Sequence, residues 1–166
     1  LNAQETYRFH CDSPQGFTIE NSTKSTLSLR FSINELGITN VQRDDAKGQE
    51  ILLKGCFASN AEGLPNLPFV NQYIAVPCGA TVSVEVKEKA CQTLQGVELL
   101  PAAPLQMNGE SKRPALHWDM SVFGNDADYP SESVTIAQTT QIRGLDVAIV
   151  SVTPFRYNPV RKTLDV

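Results

Sequence analysis

The sequence predicts an all-β fold, an antiparallel β-sandwich of about eight to ten short strands with one short helix at most. Three observations carry this prediction. Apolar and polar residues alternate at period two in several short runs, turn residues separate those runs at fairly regular spacing, and nothing in the chain sustains a long helical stripe. With 166 residues and 41% hydrophobic content the chain can enclose one core, so residues 1–166 are expected to form a single domain without internal repeats.

Leu27, Leu29, Phe31 and Ile33 alternate with Ser28, Arg30, Ser32 and Asn34, the signature of a half-buried strand. The parity shifts to Leu36 and Ile38 around Gly37, which predicts a bulge. Asp44 to Gly48 reads as a turn and Ile51 to Leu53 as a short strand. Gly63 to Pro68 is a loop stiffened by two prolines, each of which fixes φ. A strand follows over Phe69 to Val76 and stops at Pro77-Cys78-Gly79. Val82, Val84 and Val86 against Ser83, Glu85 and Lys87 predict an outer strand from Ala80 to Cys91, and Leu94, Val97, Leu99 and Leu100 predict a further extended piece. Residues 101–114 hold Pro101, Pro104 and Pro114 with no periodicity, a long Pro-rich loop of the kind that usually carries function. Leu116, Met120 and Phe123 allow two helical turns at most. Val134 and Ile136 begin a strand. Leu145 to Val152 is apolar on both faces, as a central strand should be, and Tyr157-Asn158-Pro159 turns the chain into Thr163 to Val166.

Charge and composition narrow the function. Fourteen Lys and Arg face eighteen Asp and Glu, a net charge of −4 with no basic stripe, which argues against a phosphate-backbone partner such as nucleic acid. No apolar run approaches the roughly 18 residues of a transmembrane helix. Cys11, Cys56, Cys78 and Cys91 form no C-x-x-C pair, and His10 and His117 form no close pair, so no metal site is expected from them. An even count without metal spacing suits disulfides in an oxidising compartment or buried thiols, with disulfides preferred. On the predicted strand Cys78 and Cys91 would lie about 40 Å apart. A bridge needs Cα atoms within about 7 Å, which leaves Cys11 as the shared candidate partner. Leu1-Asn2-Ala3 reads as the remnant of a secretory signal, and the stop at Leu164-Asp165-Val166 falls inside an extended run, as in a part excised from a longer precursor.

The common catalytic and nucleotide motifs are absent, and no cofactor is expected. His10 beside Cys11 would point to the opposite face of a strand, which disfavours a thiol–imidazole dyad, and His117 reads as a surface or loop histidine. No catalytic residue is expected. Asn125, Asp126 and Asp128 alternate oxygens that could ligate calcium, but the glycine and distal glutamate of a helix-loop-helix calcium site are missing, and a solvated acidic turn is the better reading. Trp118 could stack on a sugar, although a lone tryptophan beside a helical turn is more often packed in a core.

Four segments, in order, resemble a known family: Phe31 to Leu36 (FSINEL), Gly63 to Ala80 (GLPNLPFVNQYIAVPCGA), Tyr129-Pro130, and above all Arg143 to Val166 (RGLDVAIVSVTPFRYNPVRKTLDV). Together they are similar to the amino-terminal propeptide of the gingipain-type cysteine peptidases, caspase-fold enzymes secreted by Bacteroidetes. The resemblance implies a non-catalytic β-sandwich that folds ahead of its catalytic domain, assists that domain's folding, and keeps it latent by laying a loop across the active-site cleft. Its implied partner is the cognate cysteine-peptidase catalytic domain, expected in the same precursor, and its implied route is through the periplasm to secretion or the outer surface. In the family the loop offers a basic side chain to the specificity pocket, and the corresponding segment here is Pro104 to Pro114. An ungapped count back from Tyr129-Pro130 puts Asn108 at the basic position, a departure from the pattern; a small insertion puts Lys112 or Arg113 there. Arg113 precedes Pro114, and a peptide bond to proline resists proteolysis. The alternative function is a secreted or cell-surface adhesion or carbohydrate-binding sandwich, resting on Trp118 and the acidic turn.

Overall fold

The computed structural model describes residues 4–43, 45–59, 61–87, 91–104 and 115–166. In chain order the elements are β1 (Gln4–Arg8), β2 (Gly16–Ser22), β3 (Leu27–Ser32), β4 (Glu35–Arg43), β5 (Ala46–Leu52), β6 (Val70–Val76), β7 (Thr93–Gln95), α1 (Met120–Phe123), β8 (Val134–Ile142), β9 (Leu145–Val152), β10 (Arg156–Asn158) and β11 (Thr163–Asp165). They form three three-stranded sheets, ordered β1-β4-β5, β6-β9-β8 and β10-β11-β7, and the β2-β3 hairpin. Every ladder between these strands is antiparallel, so the fold is all-β, as expected. No helix among the described residues is long and apolar enough to cross a membrane.

The core follows from the alternation. Leu36 and Ile38 on β4 and Ile51 on β5 point to one side and meet Leu53, Leu67, Val97, Leu99, Phe155, Tyr157 and Leu164. Fully burying such a side chain is worth roughly 1.5–3 kcal/mol each, which is why short strands from different sheets converge there. The apolar stretch Leu145–Val152 lies in the middle of its sheet, paired with β6 on one side and β8 on the other. Val147, Ala148, Val150 and Val152 are all buried, as its two apolar faces predict.

Several local expectations are corrected. The parity change near Gly37 is a change of sheet rather than a bulge: β3 ends at Ser32 beside β2, and β4 starts at Glu35 between β1 and β5. A break at Ile33-Asn34 re-aims the side chains as an inserted residue would, so the two read alike in sequence. The register shifts that do occur lie at Ile19/Asn21 and Ile136/Gln138. Residues 80–87 belong to no strand, and Val84 and Val86 are 43% and 51% exposed, because alternation supplies a face but no neighbour to hydrogen-bond. The spacing argument for Cys78 and Cys91 loses its premise with that strand, and all four cysteines are free thiols, so the disulfides expected among Cys11, Cys56, Cys78 and Cys91 are not formed. His10 and Cys11 lie past the end of β1, in a connection rather than on a strand. The helix is a single four-residue turn that starts after Leu116.

Candidate functional site: the stems of the Pro-rich loop

Asn108, Lys112, Arg113 and Pro114 lie outside the described residues, but both segments that flank them are placed. The incoming stem is built on β5. Gln49 donates from its N–H to the Glu98 carbonyl (2.7 Å) and accepts from the Leu100 N–H (3.2 Å), while its side-chain carbonyl accepts from the Glu98 N–H (2.8 Å). Gly48 has no side chain to obstruct this approach; a Cβ there would lie 2.7 Å from Leu100 Cδ2. Beyond it, Leu100, Pro101 and Ala102 are buried against the Gly63–Pro68 loop. The Asn66 N–H donates to the Leu100 carbonyl (3.2 Å), the Ala102 N–H to the Leu64 carbonyl (2.8 Å), and the Gly63 N–H to the Ala102 carbonyl (3.1 Å).

The outgoing stem returns to the same glycine. The Asp119 N–H donates to the Gly63 carbonyl (2.9 Å), and His117 Nδ1 lies 3.2 Å from Glu62 Oε1. Asp119 then caps α1: its Oδ1 accepts from the Ser121 N–H (2.9 Å) and hydroxyl (2.6 Å). Those two bonds hold its carboxyl below the ordinary aspartate range, with a smaller pull from His117. Trp118 lies on this stem and is 39% exposed, so it is not the core residue its surroundings in sequence suggested. The backbone bonds on both sides of the loop therefore converge on one buried residue, Gly63, at φ +79°.

The acidic turn has a different employment from the calcium reading. Asp126 Oδ1 accepts from Asn158 Nδ2 (2.8 Å) and Arg161 Nε (2.9 Å), and Asp128 Oδ1 accepts from Arg161 Nη2 (3.1 Å) and lies 3.3 Å from Asn158 Nδ2. A guanidinium and an amide thus take the oxygens that a cation would need. Asn158 is fully buried, and its Oδ1 also accepts from the Arg161 N–H (2.9 Å). Next to it the Tyr157 hydroxyl donates to the Val97 carbonyl (3.1 Å) and accepts from the Leu99 N–H (3.2 Å), while Tyr157 and Tyr129 exchange backbone hydrogen bonds of 2.8 and 2.9 Å. Burial pushes the Tyr157 hydroxyl above the usual phenol range. The Tyr-Asn-Pro-Val stretch is therefore a structural knot that ties three parts of the chain, not a reactive site. Among the described residues no group of three or more His, Cys, Asp or Glu is arranged to hold a metal.

Residues 5–166 match the Propeptide_C25 family. The chain belongs to that family. This propeptide is 24% identical over 155 residues to Lys-gingipain HG66 of Porphyromonas gingivalis, an alignment covering 90% of this chain and 9% of that protein. It is 23% identical over 152 residues to Gingipain R1 of the same organism, covering 92% of this chain and 15% of that protein. The propeptide thus spans about a tenth of the length of the Lys-gingipain it matches. A solved structure bearing on the zymogenic latency of gingipain K from Porphyromonas gingivalis superposes with a TM-score of 0.81 at 25% identity, over 98% of this chain and 92% of that one. A complex of Porphyromonas gingivalis RgpB pro- and mature domains superposes with a TM-score of 0.82 at 22% identity, over 90% and 79%. The family resemblance seen in the sequence is thereby established, and its strongest motif, Arg143–Val166, covers β9, the Tyr157–Asn158 knot and β11. Gly63 and Gln49 were not singled out by residue type, and Asn158 was read only as part of a turn. The one sequence signal for Gly63 was its place at the head of a proline-stiffened loop.

Proposed function

We propose that this propeptide keeps a gingipain-type cysteine peptidase latent, and assists its folding, by presenting the 101–114 loop to the active-site cleft. The observation that carries the reading is the convergence of both loop stems on Gly63, within a chain of the propeptide family. A loop whose ends are already fixed to one turn loses less conformational entropy on docking than a free peptide does. Lys112 or Arg113, or Asn108 on the ungapped count, supplies the side chain for the specificity pocket. Arg113 suits product-like occupancy, since the adjoining Pro114 makes the peptide bond a poor one to cleave. The 166 residues act as one domain whose partner is the catalytic domain of the same precursor, exported with it through the periplasm to the outside of the cell. The latency of gingipain K and the pro–mature complex of RgpB supply the precedent for such a partner.

The test is inhibition of that catalytic domain by the added 166-residue chain. Wild type should inhibit, and Arg113→Ala or Lys112→Ala should weaken inhibition by at least about tenfold, the scale of losing one buried charged contact. A wild-type chain that neither binds nor inhibits refutes the function. Inhibition that survives Arg113→Ala, Lys112→Ala and Asn108→Ala refutes only the assignment of the pocket residue.

A further inference from the structure

We infer that Gly63, held in place with His117, is the positioning residue of the loop: it sets where both stems leave the folded body, and inhibition depends on it although it lies outside the loop. The inference rests on the latency reading above and deepens it.

Gly63 spends both of its backbone hydrogen-bonding groups on the loop. Its N–H goes to Ala102 on the incoming stem, and its carbonyl receives the N–H of Asp119 on the outgoing one. It does so in the left-handed conformation, φ +79°, which side chains other than glycine adopt with strain. Space imposes the same choice. A Cβ at position 63 would lie 2.5 Å from His117 Nε2 and 2.9 Å from its Cδ2, so the imidazole ring occupies the place of the missing side chain. Glu62 fixes that ring from its other nitrogen, 3.2 Å away. The turn at 62–64 therefore grips the incoming stem through main-chain bonds and the outgoing stem through one main-chain bond and a ring. Releasing either grip lets the loop ends separate, and the ordering cost then falls on docking.

The experiment compares the full 166-residue wild-type chain with Gly63→Ala, His117→Ala and the double variant. It reads inhibition of the catalytic domain, thermal midpoint, and amide hydrogen exchange at positions 63, 102 and 119 of the chain alone. Each single variant should weaken inhibition by about tenfold and speed exchange at the three amides. For His117→Ala, whose side chain is half exposed, the thermal midpoint should move by less than about 4 °C, which a purely structural role would not allow alongside the lost inhibition. The double variant should be no worse than the worse single, because both changes open one contact. Should Gly63→Ala fail to fold, His117→Ala carries the test, since that side chain is 55% exposed. A wild-type chain that inhibits while His117→Ala speeds exchange without moving the inhibition constant overturns the positioning role alone. Additive effects in the double variant also overturn it. A wild-type chain that does not inhibit overturns the latency reading, and the positioning role with it.

Discussion

Cys11 and Cys56 show how little of a residue's chemistry is set by its type. Cys56 packs against the core, and burial pushes its thiol up to about 11. Cys11 is exposed, and contacts with the Ser32 side chain and the Ser13 backbone hold its thiol below the usual value. Near pH 8 iodoacetamide should therefore alkylate Cys11 well before Cys56, because the thiolate is the nucleophile. Peptide mass mapping over a time course checks the order, and equal rates would contradict it. The pH dependence follows in sign. A thiol whose folded pKa is raised contributes stability that is fully present below its unfolded value of 9.0 and is lost as pH climbs through about 11. That alkaline loss, read from urea unfolding across the same pH window, should shrink in Cys56→Ser.

Among elements, the link between α1 and the β10–β11 turn is the most sharply defined. A four-residue helix has no independent stability, so it persists through the Asp119 cap and through the anchoring of the acidic turn just beyond its end. Asn158 reaches from the end of β10 to Asp126 and Asp128, and Arg161 bonds to the same two carboxylates. Asn158→Ala removes a buried amide that bonds charged partners, and it should cost about 2–4 kcal/mol in urea unfolding. Arg161→Ala should cost no more than about 1 kcal/mol, since its guanidinium is largely exposed. Comparable losses from the two would contradict the geometry. At this scale the sequence was legible where the signal is local. The apolar run of β9 marked a central strand, and Tyr157-Asn158-Pro159 marked the turn into β11. It misled where the deciding partner is distant. Val82, Val84 and Val86 alternate as a strand would but meet no ladder, and the parity break before β4 looked like a bulge because a sheet change moves side chains the same way. Gly63 was legible only as the head of a proline-stiffened loop, and its clamping role was hidden for the same reason: its two partners lie 39 and 56 positions away in the chain.

Over the whole molecule, the chain's last strand holds its early and middle parts together. β11 lies between β10 and β7, and Val166 exchanges backbone hydrogen bonds of 3.0 Å with Gln92. Leu164 on β11 is completely buried in the core shared with β4 and β5. Leu164→Ala should cost about 2–5 kcal/mol, a large part of the roughly 5–15 kcal/mol that holds a typical domain together. Urea unfolding monitored by both tryptophan fluorescence and circular dichroism should show one shared transition moved to lower denaturant. Two separate transitions would show that the sheets are not one cooperative unit.

The clamp at Gly63 grips its cargo almost entirely through peptide groups. Peptide groups are common to every residue, so apart from the ring of His117 such a holder exerts no choice over the sequence it carries between Ala102 and Asp119. Under the latency proposed above, the residues between the two stems are therefore free to drift, lengthen or be exchanged while the contacts at Gly63 stay the same. One glycine and one imidazole make the loop an interchangeable part.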